Sequence, residues 1–169
     1  LSGSPNTNPI YEDLVLSGRA DFVAANTIID MMNSLSDPRI GMYFTMAPDT
    51  TAYIGGVYGA TNDYGSYSHA GADLNTAELA NTLMDYSEME FYKAEAIERG
   101  IAGSGTAEEH YNNAITSSIE HWGGSASDAS TYLATTDVAY STAAGDWKQK
   151  IGTQAWLAYF NRGVVGWTT

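Results

Sequence analysis

Apolar positions in this chain gather into four stripes of helical period, separated by stretches rich in glycine and small polar residues. Ile28, Met31, Met32 and Leu35 recur at i, i+3, i+4 and i+7, which predicts a helix with those four side chains on its buried face. Asp37-Pro38 ends it, because a proline disfavours helical backbone at the residue before it. Ahead of it, residues 1–20 carry Pro5 and Pro9 among Ser, Asn and Gly and read as an extended lead-in. Asp85 and Glu88 have the spacing of a capping box, and the helix they open runs to Gly100 with Met89, Tyr92 and Ala96 as its expected inner stripe. Thr106 and Glu109 repeat that spacing. Tyr111, Ala114, Ile115, Ser118, Ile119 and Trp122 then follow in the cleanest helical register of the chain. The connection at residues 100–105 is short, so these two helices should pair antiparallel, with Ile115 and Ile119 against Met89 and Tyr92. A last helix is expected from Asp146 to Gly163, with Trp147, Ile151, Ala155 and Ala158 on one face and Trp156 and Tyr159 flanking it.

Residues 42–45 read as a short strand. Residues 47–75 form a long turn-rich stretch with glycines at 55, 56, 59, 65 and 71 and tyrosines at 53, 58, 64 and 67. A loop of that length in a folded domain is functional or is supported by its neighbours. No internal repeat is apparent, although residues 85–122 match one tetratricopeptide-like hairpin, and a single such unit cannot bury its own face. The expected fold is therefore mainly α, with long irregular loops.

Length and charge narrow the function. The chain has 169 residues, enough for one domain, and 44% of them are hydrophobic. Seven Lys and Arg against 20 Asp and Glu give a net charge of −13, which excludes a phosphate-backbone partner and charge-driven docking on anionic lipid. There is no cysteine, hence no disulfide, thiolate zinc site or cysteine nucleophile. No stretch has the length of a transmembrane helix and no signal peptide is visible, so the chain is read as cytosolic, processed or a fragment. The polar surface is made of Ser, Thr, Asn, Gly and Tyr more than of ion pairs. The 12 tyrosines and four tryptophans are amphipathic rings suited to the core and to sugar faces alike.

Sugar recognition requires flat aromatic faces against pyranose C–H groups and nearby polar side chains for hydroxyls. Residues 53–69 supply both kinds, and Tyr58, Asn62, Asp63, Tyr64 and Tyr67 are the candidate ligand-binding residues. The competing expectation is that the tyrosines pin an irregular loop to the helices. Glu88 and Glu95 share one helix face, but carboxylates projecting side by side do not flank a scissile bond, so no catalytic residue is assigned. Glu88 is expected as a cap and Glu95 as the partner of a buried Arg or Tyr. Asp49, Asp63, Asp73 and Glu78 are oxygen donors of the kind calcium uses, without an EF-hand loop. His69, His110 and His121 lack zinc spacing and read as surface histidines. Arg39 is expected to tie a loop through its planar fork.

Four runs resemble a known family in sequence order. They are DFVAANTIIDMMNSLSDPRIGMYF at 21–44, YSEMEFYKAEAIERG at 86–100, AEEHYNNAITSSIEHWG at 107–123 and KIGTQAWLAYFNRGVVGW at 150–167. Together they resemble the SusD/RagB family. The second run follows the pattern Y-x-E-x-x-x-x-x-A-E-A-x-x-R-G. The fourth departs from the family, with Ala155 where lysine is common, Val165 where an acidic residue is common and Gly166 in place of alanine. Family members are much longer. The resemblance thus implies one SusD-like region over 1–169, a partial domain lacking the N-terminal half and the extreme C-terminus. It further implies a non-enzymatic, lipid-anchored glycan-binding protein on the outer face of the bacterial outer membrane. The implied partners are an oligosaccharide or other nutrient, a TonB-dependent outer-membrane transporter, and either the rest of the parent chain or a second chain. Calcium is a possible cofactor in that family. The alternative function is a tetratricopeptide-type scaffold for protein contact, with no ligand site of its own.

Overall fold

The computed structural model describes residues 5–169; the first four residues of the expected lead-in lie outside the described part. Among the described residues the chain is helical, with two isolated β-bridges and no strand. It divides into two compact units, Leu1–Asn81 and Thr82–Thr169.

The first unit begins with α1 (Pro9–Tyr11), which passes directly into a π-turn at Glu12–Leu16. The lead-in is therefore not extended throughout. Asn8 caps the helix by accepting from the Ile10 N–H, and Pro9 sits at the first helical position, where its missing N–H costs nothing. The Asn8 side chain also donates to the Leu79 carbonyl at 2.8 Å. Helix α2 (Asn26–Leu35) follows, then α3 (Ile40–Tyr43). The buried side chains of α2 are Ile29 and Met32, with Ile28 and Leu35 half-buried, while Met31 faces solvent. The doublets Ile28-Ile29 and Met31-Met32 permit two neighbouring registers, and the fold uses the one centred on Ile29 and Met32. Ser36 closes the helix in the left-handed region (φ 54°). Behind it, Asp37 and Arg39 form a fully buried two-pronged ion pair, with Nε to Oδ1 at 2.9 Å and Nη2 to Oδ2 at 2.6 Å. The loop-tying role expected of Arg39 is what the structure contains.

The segment expected as a strand begins as the end of α3, after which Phe44 is extended and bridged to Ala70. Backbone hydrogen bonds hold the long loop: Ala24 N–H to Ser68 O, Gly56 N–H to Ala24 O, Ser68 N–H to Ile54 O and Thr45 N–H to His69 O, all at 2.8–2.9 Å. The buried Ser68 hydroxyl accepts from the Ile54 N–H. Two glycines are required where backbones meet. A Cβ on Gly55 would overlap the Asn26 Cα, and one on Gly71 would lie 2.5 Å from the Met42 carbonyl oxygen.

The second unit contains α4 (Tyr86–Glu98), α5 (Ala107–His121), α6 (Ala126–Leu133), α7 (Trp147–Ala158) and α8 (Gly163–Trp167). Helices α4 and α5 pair antiparallel: Ser87 donates to Ala114 O at the middle of α5, whereas Glu90, further along α4, meets His110 and Asn113 closer to the start of α5. All six side chains of the α5 stripe are buried, and the Thr106–Glu109 capping box is complete. The face of α4 that meets them differs from the expected one. Ser87, Glu88, Glu90, Phe91 and Ala94 are buried, whereas Met89 and Tyr92 are exposed. Phe91 packs edge-on against Tyr111 and Tyr159.

Two carboxylates on the inner side of α4 explain the discrepancy. Glu88 is met by Arg162 at 2.5 Å and by the Tyr92 hydroxyl at 2.7 Å, and Arg162 also reaches Asp85 at 3.0 Å. Asp85 caps α4, but Glu88 pairs inward rather than closing a capping box. Glu95, by contrast, pairs with exposed Arg99. Helix α6 was not anticipated, although Ser125 and Asp128 form a full capping box ahead of buried Ala129 and Tyr132. The expected last helix stops short: α7 ends at Ala158, Arg162 turns inward to its carboxylates, and a separate short helix, α8, begins at Gly163.

Candidate functional site

The five candidate residues lie on the loop surface of the first unit. Tyr58 projects furthest, 81% exposed, and lines a groove of about 210 Å³ with Asp21, Phe22 and Asn62. The Asn62 amide closes the loop beneath it: its oxygen accepts from the Val57 N–H, and its nitrogen donates to the Val57 and Ala60 carbonyls at 3.0 Å. The Tyr58 N–H is fixed by the Asn26 side chain. Tyr58 therefore stands on a braced turn. Asp63 is exposed and accepts from the Ser66 hydroxyl at 2.7 Å. Tyr64 is stacked on His69, with centroids 3.8 Å apart and planes inclined by 10°. The His69 ring nitrogen is 2.8 Å from the Tyr64 carbonyl, which locks the pair. Both rings line a second groove, of about 390 Å³, together with Arg19 and Phe22. Tyr67 is half-buried and lines neither of these grooves.

Phe22 belongs to both grooves, and sequence reasoning missed it together with Arg19 and Asp21. The only signal available was Arg-x-Asp-Phe at the end of the lead-in, a charged pair beside an aromatic with no helical partner. The Arg19 guanidinium grips the Asp21 carboxylate and lies 4.6 Å from the Phe22 ring centroid. The hydrogen bond between them holds Asp21 below the usual carboxylate range and raises Arg19.

The other sequence candidates are dispersed. Among the described residues no three of His, Asp and Glu converge as a metal cluster would. His110 is not a loose surface histidine. Its Nδ1 is 2.6 Å from Glu90 Oε2 and its Nε2 is 2.8 Å from Ser104 O, while Lys93 pairs with the other Glu90 oxygen. Two acceptors around one imidazole require both ring nitrogens to donate, which is the charged form. No helix among the described residues is long and apolar enough to cross a membrane.

A family model described as starch-binding and associating with the outer membrane matches residues 1–169. The chain belongs to the SusD-like family. The solved structures it resembles agree. A chitin-binding SusD homologue from Flavobacterium johnsoniae is 28% identical with a TM-score of 0.78, over 96% of this chain and 39% of that one. A SusD homologue from Bacteroides thetaiotaomicron is 25% identical with a TM-score of 0.70, over 85% and 36%. A third, from Bacteroides vulgatus, shares the fold at 24% identity and a TM-score of 0.71, over 100% and 39%. The SusD-like chain thus spans about two fifths of the length of these structures. No match was found among curated proteins.

Proposed function

We propose that this SusD-like chain forms part of a surface protein that captures oligosaccharides without chemically altering them. Its ligand-contacting face is the loop surface of the first unit, where Tyr58 and Tyr64 supply exposed aromatic faces, half-buried Tyr67 a lesser one outside both grooves, and Asp63 accepts from sugar hydroxyls. Asn62 shapes the Tyr58 groove. The observation that carries the reading is a set of exposed rings held on braced backbone. Tyr58 is 81% exposed, yet its turn is closed by the Asn62 amide and the Asn26 side chain. An aromatic held out in water gains by stacking on a sugar's C–H face, whereas sugar hydroxyls gain little by exchanging water for protein. Starch and chitin, the glycans named for the family and for one relative, are both polymers of neutral pyranoses and fit such a surface. The intact protein would sit lipid-anchored on the outer membrane and hand its ligand to a TonB-dependent transporter.

A second reading, protein contact, is favoured for the second unit, where Leu83 and Trp167 are 88% and 87% exposed and the exposed Tyr86 and Met89 share one face of α4 at i and i+3. The rest of a longer chain or a second chain would cover that face. Calorimetric titration of the intact protein with maltoheptaose and with a chitin hexamer tests the glycan reading. Tyr58→Ala should weaken binding of whichever chain binds by about 1–2 kcal/mol, a factor of roughly 5–30, with the melting temperature unmoved. Binding by neither oligosaccharide would defeat the reading.

A further inference from the structure

Phe22 is 41% exposed on the irregular segment between the π-turn and α2. Its outward position forgoes the gain of burying a large apolar ring. One face of the ring is covered by the Arg19 guanidinium at 4.6 Å. Arg19 is itself fixed, with Nε 3.0 Å from Asp21 Oδ1 and Nη2 2.7 Å from Asp21 Oδ2. A fork-to-carboxylate contact admits one geometry, so the guanidinium plane is set and the ring is braced from one side. An ion pair this exposed adds little stability, and its consequence here is orientation. Phe22 lines both the Tyr58 groove and the Tyr64–His69 groove.

We propose that Phe22 is the shared central platform of one continuous binding path. A neutral oligosaccharide of several sugar units runs from the Tyr58 groove across Phe22 to the stacked Tyr64–His69 pair. This rests on the glycan-binding reading above and gives that site a length and a ligand class. Length follows from the wall common to both grooves: a single sugar occupies one groove, while a chain engages three aromatic faces within one covalently linked molecule, so its contacts reinforce one another. Neutrality follows from charge. Arg19, the permanent cation lining these grooves, is already matched by Asp21, and the chain's net charge of −13 repels an acidic polymer before contact.

The test is calorimetric titration of the intact protein with maltoheptaose, a chitin hexamer and the disaccharide of each, using wild type, Phe22→Leu, Phe22→Tyr and Tyr58→Ala. Leucine keeps the apolar bulk and so preserves the fold, but it has no flat face; tyrosine keeps the face. Phe22→Leu should weaken the long chain about tenfold or more, and by a larger factor than Tyr58→Ala, since it interrupts both grooves. The disaccharide should lose less, and Phe22→Tyr should bind the long chain like wild type. Full long-chain affinity in Phe22→Leu, with loss in Tyr58→Ala, would overturn the shared platform and leave glycan binding intact. Equal weakening of disaccharide and long chain would overturn the continuous path. Tighter binding of an oligogalacturonate than of either neutral chain would overturn the ligand class. Binding of no oligosaccharide by wild type would overturn the glycan reading, and this inference with it.

Discussion

The two units keep their shapes by different means. In the first, loop backbones are laced to one another, Ala24 to Gly56 and Ser68, Thr45 to His69, and glycines stand where the chains come closest. Side chains freed from that task point outward, which is how Phe22, Tyr58 and Tyr64 come to be exposed on ordered backbone. In the second, helices pack through side chains, and the inner face of α4 contains two carboxylates that must be answered, Glu88 by Arg162 and Glu90 by His110 and Lys93. The contrast is one of emphasis, since the first unit also buries the Asp37–Arg39 pair and the second also exposes Tyr86 and Trp167, but it separates the two supports that exposed rings and buried charges need. Rings can be displayed where the main chain satisfies itself. Charges can be buried only where other side chains meet them.

The strongest way to break the comparison is to strand one of those charges. Arg162→Ala leaves Glu88 buried without its cation and should cost about 3–5 kcal/mol, read as a lowered urea midpoint. Replacing both partners, Arg162→Met with Glu88→Met, should recover most of the loss, because the cost lies in the uncompensated charge rather than in the missing pair. If the double variant is as weak as the single one, Arg162 contributes by packing over Tyr159, which lies 4.6 Å from its guanidinium.

The first unit should fail differently. Gly71→Ala sets a methyl 2.5 Å from the Met42 carbonyl and about 3.1 Å from Tyr43 backbone atoms. Neither neighbour is a flexible tip, so the backbone must shift, at about 1–3 kcal/mol. Because Gly71 N–H also bonds Tyr43 O next to the Phe44–Ala70 bridge, the shift should loosen the attachment of His69 and Tyr64. Glycan affinity should therefore fall along with stability. A Gly71→Ala protein that loses stability but binds normally would show that the lacing and the display of rings are separable.

How much of this was legible in the sequence depended on which support a region uses. Helix α5 was fully readable because its inner stripe from Tyr111 to Trp122 is apolar at every step but Ser118, and its capping box is explicit. Helix α4 was found, but its face was mistaken, because a hydrophobic stripe was sought where the buried positions are Ser87, Glu88 and Glu90. The partners that permit this, Arg162 and His110, are distant in sequence and carry no local mark. The early end of the last expected helix was hidden for the same reason: Arg162 turns in toward a carboxylate more than seventy positions upstream. Helix α6 was legible and overlooked, since Ser125 and Asp128 announce it. In the first unit the tyrosines of the long loop were visible as candidates, but Phe22 joins them through pairing of residues 24–26 with residues 56, 58 and 68, which no periodicity encodes.

The smallest expected effect sharpens the second half of the contrast by titrating it. Burial by itself pushes the Glu90 carboxyl up, but hydrogen bonds from His110, Lys93 and Asn113 outweigh it and hold the group below its ordinary 4.5. The same bond to Glu90, followed by the one to the Ser104 carbonyl, raises His110 above its ordinary 6.5. A raised histidine contributes stability that is fully present below pH 6.5 and is lost as pH climbs through its folded value. A lowered carboxylate contributes stability that is present above pH 4.5 and is lost as pH drops through its folded value. Both contributions are complete only between pH 4.5 and 6.5. His110→Gln retains a polar side chain but has no charge to lose. The gap in melting temperature between wild type and His110→Gln should therefore be widest in that window and should narrow on the alkaline side. It should shrink again in acid, where Glu90 takes up its proton and the ion pair disappears. A constant gap from pH 4 to 9 would mean that His110 serves only as a hydrogen-bonding spacer between α4, α5 and the Ser104 loop. The charged clasp inferred from its two acceptors would then be wrong.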